Sequence, residues 1–133
     1  MENNKYHILI VEDDKEIRDG VEIYLKNQGY QVWKAANGKE GLEIVTREEI
    51  HLAILDIMMP VMDGLTAART IRDLERQDAK TIPIIAMTAN AFREDAERCM
   101  EAGMNAHLAK PLDDEKIKQT IREELRKQNA CHE

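Results

Sequence analysis

The chain reads as an α/β protein built on one doubly wound parallel sheet, and three observations predict it. Short apolar runs alternate with amphipathic stretches five times over along 133 residues, the pattern of repeated strand–helix units. Three of those runs, "YHILIV", "HLAILD" and "TIPIIAMT", are apolar almost throughout, as strands covered on both faces are. The length suits a single domain, and right-handed crossovers leave the doubly wound sheet as the commonest arrangement for it.

Each element has its own justification. "YHILIV" (6–11) is the first buried strand. A helix follows, with Ile17, Val21 and Leu25 at helical spacing, Asp14 as its N-cap and Gly29 as its terminator. "YQVWKA" (30–35) alternates in polarity, which suits a strand nearer an edge. Asn37 opens a short second helix, "NGKEGLEIVTREE". "HLAILD" (51–56) is the third strand. Pro60 interrupts the chain, and a helix over 63–77 aligns Leu65, Ala68 and Ile71. "TIPIIAMT" (81–88) is the fourth strand, with Pro83 near its start, where a missing amide donor is tolerated. A fourth helix over 90–103 is closed by Gly103. "AHLAK" (106–110) is the fifth strand, and a final helix over 113–128 aligns Ile117, Ile121 and Leu125.

Composition narrows the function. With 43% hydrophobic and 34% charged residues the chain is an ordinary globular sequence, and folding at this size buries roughly two-thirds of the unfolded surface. A formal charge of −7 disfavours direct nucleic-acid binding, which needs a basic face. Cys99 and Cys131 lie far apart without metal-ligand spacing, which suits a reduced, intracellular protein; the terminal "CHE" holds too few ligands for a metal site. No apolar run approaches the roughly 20 residues that span a bilayer, and the start lacks a secretory core, so a cytoplasmic location is expected.

The acids fall at strand ends. In a parallel sheet those ends share one edge, where ligands bind at the topological switch point. Glu12, Asp13 and Asp14 follow the first strand, Asp56 closes the third, Thr88 the fourth and Lys110 the fifth. Asp56 is therefore expected at the lip of the sheet, uncovered. Carboxylates gathered from two strand ends repel one another, and a small hard cation such as Mg²⁺ removes the conflict. Lys110 and Thr88 supply an ammonium and a hydroxyl donor suited to a phosphoryl group. A carboxylate can itself accept that group, so Asp56 is the natural nucleophile, with Glu12 and Asp13 as metal holders. Taken singly, each has a plainer explanation: Asp14, and even Asp13, as helix N-caps, Thr88 as a cap, Lys110 as an exposed lysine.

The segments "ILIVEDD", "LDIMMPVMDG", "MTAN" and "AKP", in this order and spacing, resemble the receiver domain of bacterial two-component response regulators, over about residues 6 to 126. The resemblance implies a flavodoxin-like (βα)5 fold of strand order 2-1-3-4-5. Residues 1–5 are expected to be an N-terminal extension, 6–128 the receiver domain and 129–133 a frayed tail. Asp56 would be the phosphoacceptor. Asp13 and Asp56 would bind Mg²⁺ directly with the backbone carbonyl of Met58, and Glu12 through water. Thr88 and Lys110 would hold the phosphoryl oxygens. Receivers usually place Tyr or Phe three residues before the lysine as a switch that turns inward with the threonine. Here that residue is His107, which reads equally as a half-exposed strand histidine. A bulky Met58 does little to orient an attacking water, which predicts a moderately long-lived phosphorylated state. Met58, Met59 and Met62 read either as loop packing or as an adaptable docking surface.

The leading expectation is thus a phosphorylation-driven switch. Its donor is a histidine kinase or histidine phosphotransfer protein, and its output a downstream protein or linked domain. A phosphorylation-dependent homodimer is a further expectation. The chain would be a phosphoacceptor rather than an enzyme, either stand-alone or part of a larger regulator or hybrid kinase. An aspartyl-phosphate phosphatase would want an acid at position 58, where Met58 stands. An FMN carrier would want a hydroxyl- and glycine-rich loop where "EDDKE" stands. A phosphorylation-independent interaction module is the remaining alternative.

Overall fold

The structure, a computed structural model, describes residues 6–56, 64–73, 82–88, 97, 99–109 and 112–131. Five parallel strands form one sheet: β1 (His7–Val11), β2 (Gln31–Ala35), β3 (Leu52–Asp56), β4 (Ile84–Thr88) and β5 (Ala106–Ala109), in the order β2-β1-β3-β4-β5. The expected doubly wound, flavodoxin-like topology is the one observed. The described helices are α1 (Lys15–Asn27), α2 (Gly38–Arg47), α3 (Gly64–Arg72) and a C-terminal helix (Asp114–Cys131). The helix predicted over 90–103 falls largely outside the described residues; of it, residues 97 and 99–101 are helical. The C-terminal helix runs to Cys131, so residues 129–131 continue it where the sequence reading ended the domain at 128.

Successive residues of the central strands feed opposite faces, as the two-residue pleat requires. Leu9, Val11, Ala53, Leu55, Ile84 and Ala86 pack with Ile44 and Val45 of α2 and Ala67, Ala68 and Ile71 of α3. Ile8, Ile10, Leu52, Ile54, Ile85 and Met87 pack with Val21 and Leu25 of α1 and Ile117, Ile121 and Leu125 of the C-terminal helix. Most of these side chains are fully buried, each contributing about 1.5–3 kcal/mol for the larger aliphatics. β2 lies at one edge, and its alternating sequence matches its half-exposed pattern.

Local chemistry sets the helix ends. The Asp14 carboxylate accepts from the amides of Glu16 at 2.9 Å and Ile17 at 3.3 Å, and the Asn37 side chain from that of Glu40 at 3.0 Å. Gly29 ends α1 at φ +97°, where the amide of Tyr30 reaches back to the carbonyl of Leu25.

Candidate functional site

The switch point lies between β1 and β3, whose connections leave on opposite sides of the sheet. Val11 pairs with Leu55, so Glu12, the next residue along, comes level with Asp56. Asp56 in turn pairs with Met87, and Thr88 follows one step further on β4, itself paired with Ala109 of β5. Register alone gathers residues 12, 56 and 88 at one edge.

The carboxylates of Glu12, Asp13 and Asp56 each offer an oxygen, and these oxygens lie within 4.8 Å of one another. Glu12 is 0% exposed and Asp56 3%, while Asp13 is exposed to solvent. The expectation that Asp56 stands uncovered at the lip is corrected here. It is the last residue of β3, still paired with Met87 of β4, and only 3% exposed. Thr88 is equally buried.

The backbone around the acids is pinned. The amide of Glu12 donates to the carbonyl of Ala35 at 3.1 Å, and Arg18 Nη1 donates to the carbonyl of Glu12 at 2.7 Å. Asp14 is committed to capping α1, which separates its role from those of Glu12 and Asp13. Arg18 escaped the sequence reading. The signal was its position one turn into the helix that Asp14 opens, from which a long side chain reaches back over the acidic turn.

Two buried carboxylates and one exposed, all hard oxygen donors converging on one point, form a donor set that fits Mg²⁺, which takes few protein carboxylates and completes its shell with other oxygens. Thiolate or imidazole donors, which would favour zinc or copper, are absent from this cluster among the described residues. Lys110, Met58, Met59, Pro60 and Met62 lie outside the described residues. His107 sits on β5 with its side chain exposed, lining a groove of about 420 Å³ with Asn105, Thr120, Glu123 and Lys127.

A parallel sheet of this order with acids converging at its switch point defines a flavodoxin-like domain with a candidate cation site. The chain belongs to the response regulator receiver domain family, whose sequence profile matches residues 8–122. It is 40% identical over 120 residues to the regulatory protein VanR of Enterococcus faecium, covering 90% of this chain and 50% of that protein. It is 36% identical over 120 residues to the sensor histidine kinase RcsC of Escherichia coli K12, covering 90% of this chain and 12% of the kinase. The chain thus spans half or less of these two curated relatives. Among solved structures, the receiver domain of the sensor histidine kinase PA1611 from Pseudomonas aeruginosa PAO1, described with a magnesium ion coordinated in its active-site cleft, aligns at TM-score 0.82 and 34% identity over 90% of this chain and 97% of that one. A CheY-like response regulator receiver domain protein from Methanospirillum hungatei JF-1 aligns at TM-score 0.86 and 31% identity, covering 94% and 97%. The protein is a receiver domain of two-component signalling. No helix among the described residues is long and apolar enough to cross a membrane.

Proposed function

We propose that this receiver accepts a phosphoryl group on Asp56 from a phosphohistidine of a histidine kinase or phosphotransfer protein, and that the modification changes which surface it presents to its output. The observation that carries this reading is the convergence of Glu12, Asp13 and Asp56 within 4.8 Å, with Asp56 3% exposed. A carboxylate shielded from bulk water is a better nucleophile than a solvated one, and its burial limits competing reactions. An Asp56 oxygen attacks the phosphorus, the bond from phosphorus to the histidine nitrogen breaks, and the released imidazole keeps that electron pair and picks up a proton.

Mg²⁺, when bound by Asp13 and Asp56 and by Glu12 through water, supplies the positive charge that lets a phosphoryl anion approach three carboxylates. The Thr88 hydroxyl, buried at the end of β4, donates to a phosphoryl oxygen, and Lys110, one residue beyond β5, neutralises another. The carbonyl of Met58 completes the ligand set; this role and that of Lys110 rest on the resemblance. Movement of Thr88 is passed across its pairing with Ala109 to β5, on which His107 stands. The PA1611 receiver with its magnesium and the kinase RcsC support a magnesium-dependent transfer from a kinase.

The test is incubation with Mg²⁺ and a small acyl phosphate, read by intact mass. Wild type gains one phosphoryl group, and gains none when the metal is chelated beforehand; Asp56→Ala gains none in either condition. An adduct that survives Asp56→Ala refutes the assignment.

A further inference from the structure

The opposite pole of the sheet, where the strands begin, carries a second cluster of polar side chains. The backbone amide of His7, the first residue of β1, donates to His51 Nδ1 at 2.8 Å, and the amide of His51 returns a bond to the carbonyl of His7 at 2.8 Å. His51 Nε2 lies 3.0 Å from Glu49 Oε1, and His7 Nδ1 lies 2.8 Å from the Glu49 carbonyl. The two imidazoles meet edge to face, 5.3 Å between centroids.

These partners determine where the protons sit. An amide N–H can only donate, so His51 Nδ1 must be the accepting, unprotonated nitrogen and Nε2 carries the hydrogen that Glu49 receives. A carbonyl can only accept, so His7 Nδ1 carries its hydrogen, and its other nitrogen can gain a proton without disturbing that bond. The two histidines therefore answer acid differently. Protonated His51 presents a donor to the donor already facing it, and the His7 bond is lost.

We propose that His51, His7 and Glu49 form an acid-sensitive clasp: protonation of His51 at Nδ1 breaks its bond to the His7 amide and loosens the amino end of β1, while the His51 amide and the Glu49 carbonyl keep their bonds to His7. The groups that face the pair are the Glu49 carboxylate from that loop, the Tyr6 ring 5.6 Å from His51, and Trp33 of β2, 6.5 Å from His7. The Glu49 carboxylate, 3.0 Å from His51 Nε2, accepts its hydrogen whether or not Nδ1 carries a second one. His51 is one-quarter exposed, so solvent supplies that proton without the domain unfolding.

The experiment follows the exchange of the His7 amide hydrogen in the full chain, divided by its intrinsic rate, between about pH 8 and about pH 5, the span over which histidine titrates. Loss of one hydrogen bond is expected to cost the amide about fivefold in protection at the acid end. His51→Asn keeps an acceptor near the same place without a titrating ring, and is expected to hold protection constant with pH. His51→Phe is expected to show the low value throughout. Long-range proton–nitrogen correlation is expected to find Nδ1 unprotonated at the alkaline end. Three results would overturn the clasp: protection that is flat in wild type, a wild-type pH response that persists in His51→Asn, or Nδ1 already protonated at the alkaline end.

Discussion

A β-carbon built on Gly41 would stand 2.6 Å from Val11 Cγ2. α2 therefore rests on β1 with no room between helix backbone and strand side chain, and Val11, fully buried, cannot swing away. In an open helix, Gly→Ala gains about 1 kcal/mol. Here overpacking, at roughly 1–3 kcal/mol, outweighs that gain. Gly41→Ala is expected to lower stability by about 1–2 kcal/mol in denaturant unfolding. Because Val11 precedes Glu12, the displaced strand end is also expected to weaken Mg²⁺ binding; a Gly41→Ala variant as stable as wild type would show that the contact is soft.

Gly20, in α1, gives the opposite result from the same substitution. Nothing lies within 4 Å of a β-carbon there, and its φ is not in the left-handed region. Gly20→Ala is expected to stabilise the domain by about 0.5–1 kcal/mol through the entropy of the unfolded chain, seen as a raised unfolding midpoint at unchanged m-value.

Arg72, at the end of α3, holds together segments far apart in sequence. Its Nε and Nη2 donate to the carbonyl of Gly103 at 3.0 and 2.8 Å, and Nη2 also reaches Asn105 Oδ1 at 2.8 Å. Asn105 Oδ1 accepts from the amide of Ile84 as well, at 2.9 Å, so one guanidinium braces the starts of β4 and β5. Burial lowers the Arg72 pKa from its ordinary value without discharging it. Arg72→Ala is expected to cost about 2–3 kcal/mol by leaving these acceptors without their charged donor. Arg72→Lys restores less than half, because a single ammonium cannot reproduce the planar fork. Equal stability of the Lys variant and wild type in urea unfolding would refute the bracing role.

Much of this architecture is legible in the residues themselves. The apolar runs of β1, β3 and β4 announce strands buried on both faces, the alternation in "QVWK" announces the edge, and Asp14, Asn37 and Gly29 mark the helix ends where they stand. Three of the carboxylates the site needs were identified by their position after strands. The depth of Asp56 was not legible, since a terminal strand residue looks the same whether its neighbours stop short or extend past it, and only register decides. Arg18 and Arg72 were missed for a common reason. Each bonds a backbone carbonyl, and carbonyls leave no mark in a sequence.

Glu22 provides a pH dependence with a definite sign. Its hydrogen bond with Lys26, above all, and its proximity to Lys34 hold its carboxyl below the usual range near 4.5, against the opposing effect of burial; both lysine nitrogens lie 3.0 Å from it. A carboxylate depressed in the folded state stabilises fully above its unfolded pKa, and that contribution disappears as pH falls through the lower, folded value. The domain is therefore expected to lose this increment only below the ordinary glutamate range, and Glu22→Gln to flatten the acid limb of a stability–pH profile while leaving the neutral limb parallel. An acid limb of unchanged slope in Glu22→Gln would assign the loss to other carboxylates.

The crowding of Glu12, Asp13 and Asp56 implies that the site is arranged for a ligand at the expense of the bare fold, since like charges gathered within 4.8 Å destabilise it. Asp13 is the member to change, being exposed and outside the buried ladder, so Asp13→Asn keeps its shape and removes one charge. In chelator the variant is expected to melt higher than wild type, because the repulsion is relieved. In Mg²⁺ the order is expected to reverse: wild type gains about 2.7 kcal/mol at a hundredfold excess over its dissociation constant, whereas the variant, with affinity lowered roughly tenfold or more, gains correspondingly less. Paired thermal melts with and without metal, with calorimetric titration of Mg²⁺, measure both halves. A variant that melts below wild type in chelator would mean that Asp13 supports the fold, and one that binds Mg²⁺ as wild type does would remove it from the metal site.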